Sequence, residues 1–167
     1  MGLIEKIVSG GQTGADRAGL DAAIAAGVPH GGWCPAGRRA EDGRIPRRYA
    51  LKETATPAYP ARTKMNVRDS DGTVIFTLRG MGGGSALTAD MARELEKPCL
   101  SLELEELEDA DAADRVAAFI SHQEIRVLNV AGSRESTEPG IYARVLEVMT
   151  FLLELPDLEK ESAGDGS

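Results

Sequence analysis

Three short apolar runs in this chain of 167 residues end directly in glycine-containing turns, and a helical pattern follows each turn. The turns read SGGQTG after residue 8, RGMGGGS after residue 78 and AGSRES after residue 130. Strands that alternate with helices predict a parallel sheet, because each right-handed crossover packs a helix against the sheet. We therefore expect a single α/β Rossmann-like domain over residues 1–155, with a mostly parallel sheet and helices on both faces.

Hydrophobic periodicity and turn residues predict the individual elements. The expected strands cover 4–8, 28–33, 73–78, 99–104 and 125–130. The expected helices cover 13–26, 59–69, 86–96 and 109–121, and a last long helix begins at Pro139. A long loop rich in Gly, Pro and Arg follows the second strand, and we expect residues 156–167 to form a polar, disordered tail.

The composition narrows the class of partner. The formal net charge of −8 argues against general binding to nucleic acid or to anionic membranes. Two cysteines, Cys34 and Cys99, are too few for a disulfide framework or a zinc cage. No signal-peptide pattern is visible, and Glu147 and Glu154 interrupt the most apolar stretch, so we expect a cytoplasmic protein without a membrane span.

The three turns are candidates for an anion site. In an open parallel sheet the carboxyl ends of the strands meet at one edge, where ligands bind. Glycine lets backbone N–H groups approach an oxyanion, and the start of the following helix favours negative charge. The alternative is a purely structural role, in which the glycines only allow strand and helix to pack closely. The candidate residues are Gly10, Gly11, Gln12, Thr13, Gly14, Gly82, Gly83, Gly84, Ser85, Gly132, Ser133 and Arg134.

The long loop supplies further candidates. Its stretch GRRAEDGRIPRR carries five arginines against two acidic residues, and guanidinium groups bind phosphate in bidentate fashion. Arg38 and Arg39 are the favoured pair for binding a phosphate. The alternative, which the same sequence allows, is a solvated loop whose arginines pair with its own carboxylates. Trp33 could stack on a flat heterocycle or cover the core. Cys34 could be a soft-metal ligand or an inert buried thiol.

Known nucleotide motifs fit poorly. SGGQTG lacks the Lys-Ser/Thr of a Walker A loop, and no clear acidic residue after the second strand would hold a ribose. Asp16 and Asp90 each lie in the first turn of a predicted helix. There a carboxylate could act as a base, but more often it complements the helix dipole. The turn AGSRES could simply cap the last helix through Ser136 or Thr137.

Taken together, the motifs resemble the molybdenum carrier family. The stretches that carry this resemblance are KIVSGGQTGADRAGLDAAIAAGVPHGGWCPAGRRAEDGRIP, RTKMNVRDSDGTVIF, GGGSALTADMARELEKP and LNVAGSRESTEPGIYARV, and the similarity extends to about residue 155. The resemblance implies a Rossmann-like protein that binds molybdenum cofactor (molybdopterin), shields it and hands it to molybdoenzymes. It also implies a homo-oligomer.

The same relationship supplies a rival function. The lysine-decarboxylase-like phosphoribohydrolases are similar and carry P-G-G-x-G-T-x-x-E, whereas this chain has GGGSALTAD. Gly83 and Gly84 match, but Asp90 stands in place of the glutamate, and its shorter side chain puts hydrolysis in doubt. Asp90 is therefore the alternative catalytic residue. A plain nucleotide-sensing module is the third hypothesis.

Overall fold

A computed structural model describes residues 4–80 and 82–155. This part of the chain contains five helices and nine strands, several of them only two residues long. The strands are β1 (Lys6–Val8), β2 (His30–Gly31), β3 (Trp33–Cys34), β4 (Arg39–Ala40), β5 (Gly43–Arg44), β6 (Lys52–Glu53), β7 (Gly72–Thr77), β8 (Cys99–Glu103) and β9 (Val127–Gly132). The helices are α1 (Ala15–Ala26), α2 (Tyr59–Arg68), α3 (Gly83–Glu94), α4 (Asp109–His122) and α5 (Ile141–Glu154).

Five of these strands form one parallel sheet in the order β2-β1-β9-β7-β8. The last strand in sequence, β9, lies at the centre, with Ile7 opposite Leu128 on one side and Val74 opposite Val130 on the other. The chain winds outward from β1 to β2 and outward again from β7 to β8. The strand order therefore reverses around β9, and in sheets of this kind the ligand crevice opens at such a reversal.

The two faces of the sheet differ in polarity. Val74, Phe76, Leu128 and Val130 pack into the apolar core that α1, α4 and α5 complete. Side chains alternate along a strand, so the residues between them face α2 and α3. Those residues include Thr73, Thr77 and Asn129, which are buried, and Asn129 Nδ2 donates to Thr73 Oγ1 at 3.2 Å. The polar face is where a cleft can form with hydrogen-bonding walls.

The α/β Rossmann-like prediction is confirmed, but the boundaries shift. Helix α1 begins two residues later than predicted, because Gly14 before it has a φ of 80° that a helix cannot contain. Helix α3 begins three residues earlier, within its own glycines. Strand β9 starts at Val127 and runs on to Gly132. Gly27 ends α1 in a left-handed conformation, as the sequence predicts.

The short strand expected near 28–33 forms, but it covers only His30–Gly31. The chain forms β2 beside β1 and then leaves the sheet at Gly32, whose φ is 125°. An added Cβ at Gly32 would lie 2.3 Å from the Ser9 carbonyl oxygen, so only glycine fits this bend. Strand β3 then pairs with β6, and β4 pairs with β5 in a small hairpin. The long loop is thus built from short strands.

In the described part of the chain, no helix combines the length and apolar character needed to cross a membrane. The segment 156–167, expected to be a polar tail, lies outside the described residues.

Candidate functional site

A cleft of about 160 Å³ opens on the polar face, at the carboxyl ends of β1, β7 and β9. All three glycine turns contribute to its wall, and α2 forms the opposite side. Nine of the residues predicted from the turns line it: Gly10, Gln12, Gly82, Gly83, Gly84, Ser85, Gly132, Ser133 and Arg134. The remaining turn residues, Gly11, Thr13 and Gly14, do not line this cleft.

Gln12 carries an unpaired donor into the wall of the cleft. Its side chain is buried, with 4% of the residue exposed. Its Oε1 accepts hydrogen bonds from the backbone N–H groups of Thr13, at 3.1 Å, and Glu41, at 2.9 Å. These two donors fix which end of the amide is oxygen. The amide nitrogen Nε2 has no hydrogen-bond partner among the described residues.

A buried ion pair forms the floor beside Gln12. The Arg62 guanidinium lies 3.3 Å from Asp16 Oδ2 and also donates to the Gly10 carbonyl at 3.0 Å. The Gln12 backbone N–H donates to the same carboxylate at 3.2 Å. Burial raises the pKa of Asp16 above its ordinary value, although Arg62 and the Gln12 N–H act in the opposite direction. Asp16 is the one acidic residue that lines the described cleft.

Three guanidinium groups surround the Tyr59 ring at the mouth of the cleft. Arg39, Arg62 and Arg134 lie 5.2, 5.3 and 5.4 Å from the ring centroid. Within the described residues, Arg39 has no ion-pair partner, and the carboxylate nearest Arg134 is Glu41, at 3.9 Å. Among the described residues, these three guanidinium groups have two carboxylates near them, Asp16 beside Arg62 and Glu41 beside Arg134, so one positive charge is left over that suits an anion.

The start of α3 adds backbone donors. The first N–H groups of a helix have no intrahelical acceptor, and no side chain in the described part of the chain caps them in α3. A Cβ added at Gly82, Gly83 or Gly84 would meet nothing within 4 Å. Ser85 lies buried in the cleft wall directly after them. Exposed N–H groups, open space and the positive end of a helix together favour an oxyanion.

Arg38 does not reach the cleft. Its side chain is buried, with 8% of the residue exposed, and its guanidinium donates to four backbone carbonyls. The acceptors are Pro46 and Tyr49 at 2.8 Å, Ile45 at 3.1 Å and Leu51 at 3.3 Å. The sequence pairs Arg38 with Arg39 as an anion clamp, but the structure separates them. Arg38 organises the loop, and Arg39 reaches the mouth of the cleft.

The other candidates also lie outside the cleft. Trp33 Nε1 donates to Asp69 at 2.8 Å, and Lys52 covers its ring. Cys34 is buried in a small second core, where burial raises its pKa. Asp90 has a side chain that is 63% exposed and pairs with Arg93. No group of three potential metal-ligating residues occurs in the described part of the chain.

The capping alternative for AGSRES also needs correction. Glu135, rather than Ser136 or Thr137, accepts the N–H groups of Gly140, at 2.6 Å, and Tyr142, at 3.0 Å, at the start of α5. Ser133 donates to Glu138, whose carboxylate also binds the N–H groups after β7. The Glu138 carboxylate therefore links Ser133 of the third turn to Arg79 of the second.

Sequence reasoning missed one wall of the cleft. Tyr59, Arg62, Thr63 and Asn66 all lie on α2 and line it. Their spacing of i, i+3, i+4 and i+7 places them on one face of a helix. The helix itself was predicted, so a polar stripe on that helix was the available signal.

Comparison with known proteins adds the following findings. The model of the Circularly permutated YpsA SLOG family matches residues 7–153. A crystal structure of the "Putative molybdenum carrier protein" from Syntrophus aciditrophicus is similar, with 46% sequence identity and a TM-score of 0.88. The similarity covers 90% of this chain and 96% of that one. No curated protein matches the chain.

Proposed function

The chain belongs to the circularly permutated YpsA SLOG family, and on that premise we propose that it binds and carries molybdenum cofactor in the cleft at the strand ends. The cofactor is cargo here, a pyranopterin whose dithiolene holds the molybdenum and whose pyran ring carries a phosphate group. The similar protein from Syntrophus aciditrophicus, named as a molybdenum carrier, supports this choice of ligand.

The observation that carries the proposal is the unpaired amide of Gln12. A buried donor without a partner costs about 1–3 kcal/mol, so native proteins rarely keep one unless a ligand or water satisfies it. Gln12 lines the cleft, and its Nε2 is itself almost fully buried, so a ligand oxygen or ring nitrogen would have to enter the wall beside it to accept these hydrogens. Few other features of the molecule point so directly to a polar ligand.

The charges around the cleft fit an anionic cargo. Arg39, Arg62 and Arg134 gather around Tyr59, whereas Asp16, paired with Arg62, is the acidic residue in the wall. Guanidinium groups pair with phosphate in bidentate fashion, and the bare N–H groups at Gly83 and Gly84 suit a second set of oxygens. In this proposal the arginines neutralise the anion and the glycine turns bind it through the backbone.

The size of the cleft limits how much of the cargo one chain encloses. Sites that bury most of a drug-sized ligand measure about 300–1,000 Å³. A cleft of about 160 Å³ is smaller, so it would enclose one end of the cofactor and leave the other at the surface. An exposed end suits a protein that hands its cargo to a recipient. The expected homo-oligomer and the recipient molybdoenzymes are part of this proposal.

The test compares two variants at Gly83. Gly83→Asp places a carboxylate at the start of α3, where it complements the helix dipole but repels an anion. Gly83→Asn has nearly the same shape without the charge, and both side chains start from open space. We expect Gly83→Asp to weaken cofactor binding about tenfold, or about 1.4 kcal/mol, and Gly83→Asn to weaken it far less.

The measurement is anaerobic equilibrium dialysis against cofactor freshly released from a molybdoenzyme, with molybdenum and pterin assayed on both sides. Equal binding by the two variants would show that the start of α3 does not hold an anion. No retention by the unaltered protein would refute the carrier function.

A further inference from the structure

One carboxylate of the chain occupies a set of hydrogen-bond donors that adjoins the cleft through Arg134. Glu41 accepts hydrogen bonds from the Thr13 hydroxyl and from both the backbone N–H, at 3.1 Å, and the hydroxyl of Ser136. Arg134 Nη1 lies 3.9 Å from Glu41 Oε2. These groups belong to the first and third turns, and only the fold brings them together. Thr13 lies 28 residues before Glu41, and Ser136 lies 95 residues after it.

The donors already point at Glu41. The Thr13 oxygen accepts the Glu135 N–H at 3.2 Å, which leaves its own hydrogen for Glu41. Only 19% of the Glu41 side chain is exposed. Burial would raise the pKa of Glu41, but the hydrogen bonds from Ser136 and Thr13 and the nearby Arg134 outweigh it and lower the pKa. Glu41 is thus held as a charged group.

Two hydroxyl groups, one backbone N–H and one guanidinium also make a suitable donor set for a phosphate or a similar oxyanion. Arg134 belongs both to this set and to the cleft wall. An anion that enters the cleft and binds Arg134 therefore competes directly with the Glu41 carboxylate.

We propose that these donors form an oxyanion site, which Glu41 fills in the free protein and a phosphate-class group of the ligand takes over on binding. The inference rests on the proposed function only in requiring that the cleft binds an oxyanion. Glu41 lies on the β4–β5 hairpin together with Arg39. Its displacement releases one of the contacts that hold this hairpin against the first and third turns.

The test measures binding of inorganic phosphate by ³¹P NMR titration at constant ionic strength. Glu41→Gln removes the competing charge, and we expect it to bind phosphate at least fivefold more tightly than the unaltered protein. Adding Ser136→Ala should reduce that gain, because it removes one donor. Glu41→Asp retracts the carboxylate and should give a smaller gain, which keeps the test open if Glu41→Gln folds poorly.

Asp42→Asn is the matched control. Asp42 lies on the same hairpin and pairs with Arg17, outside the cleft. Its loss loosens the hairpin without freeing the donors, so its phosphate affinity should stay within twofold of the unaltered protein. An equal gain from Asp42→Asn would mean that hairpin mobility, and not the freed donors, controls binding.

Unchanged or weaker phosphate binding by Glu41→Gln and Glu41→Asp overturns the inference, and so does the absence of phosphate binding in every variant. The outcome is separable from that of the carrier function. Retention of cofactor by the unaltered protein without a phosphate gain in the Glu41 variants refutes only the oxyanion site. A phosphate gain without cofactor retention refutes only the choice of cargo.

Discussion

Replacing Arg38 by alanine tests whether this arginine stabilises the fold, in contrast to Arg39, which we expect to bind the ligand. The guanidinium holds four carbonyls of the segment 45–51, and only 8% of the residue is exposed. A hydrogen bond to a charged group contributes about 1.5–3 kcal/mol, but four bonds from one group are not additive. Removing the guanidinium leaves several carbonyls of this segment without a donor, and for the loss of such a buried hydrogen-bond network we expect a cost of about 3–5 kcal/mol in Arg38→Ala.

That loss is large for a single domain. Proteins of this size have free energies of unfolding of about 5–15 kcal/mol, and each kcal/mol shifts Tm by about 2–4 °C. Arg38→Ala should therefore lower Tm by about 6–20 °C. Urea unfolding and calorimetry measure both quantities. Anion binding by the folded protein should change little, because Arg38 is not in the cleft wall.

Arg39→Ala is the matched control from the next position in the chain. Arg39 is exposed and lies over Tyr59, and the described residues offer it no hydrogen-bond acceptor. Its removal should change the free energy of unfolding by less than about 0.5 kcal/mol and weaken anion binding several-fold. The reasoning fails if Arg38→Ala stays within 1 kcal/mol of the unaltered protein and loses more anion affinity than Arg39→Ala.

Three further predictions concern single positions. Gly14→Ala should lower the free energy of unfolding by at least about 2 kcal/mol in urea titration, because φ is 80° and the new Cβ would lie 2.3 Å from the Ser133 carbonyl oxygen; a neutral result would contradict the clash. For Glu138, burial would raise the pKa, but its hydrogen bonds and Arg79 lower it. Its contribution to stability is therefore present above the ordinary value, about 4.3, and is lost as pH falls through the lowered folded pKa. The deficit of Glu138→Gln, about 1–2 kcal/mol at pH 7, should shrink below about pH 4 in urea titrations, and a pH-independent deficit would refute this. In a thiol-reagent titration, exposed Cys99 should react in the folded protein and buried Cys34 only after unfolding; early reaction of both would disprove that burial.

The fold was predictable because its signals are local. Apolar runs, glycine turns and helical periodicity each lie within about 15 residues, and together they specified the α/β Rossmann-like class. The three turns were expected at one edge of the sheet, and Gly10, Gly83 and Ser133 do line one cleft. The predicted start of α1 was two positions too early, because the sequence alone does not reveal that Gly14 adopts a φ of 80°.

The roles of the loop arginines were not predictable, because they depend on contacts that no sequence window contains. Arg38 and Arg39 are neighbours with the same side chain. Their different positions follow from how residues 45–51 fold back around Arg38. Glu41 reaches Ser136, 95 residues further along the chain. Charge counting predicted that the arginines act together, whereas the acidic residues of the loop make many of its contacts with the rest of the molecule.

The polar residues of α2 that line the cleft were partly predictable from the sequence. Their helix was predicted and the residues have helical spacing, but a polar stripe on a helix is usually solvated. Only the sheet shows why this stripe is different, since Thr73 and Asn129 make the facing surface polar as well. Two polar faces opposite each other leave a cleft, whereas two apolar faces would close.

The most direct test of the carrier function is anaerobic gel filtration of the protein mixed with molybdenum cofactor freshly released from a molybdoenzyme. Fractions are assayed for protein, for molybdenum and for the fluorescent oxidised pterin. Molybdenum and pterin should co-elute with the protein in a fixed ratio, and Gly83→Asp should retain clearly less of both than Gly83→Asn. Elution of all the pterin and molybdenum at the small-molecule position would contradict it.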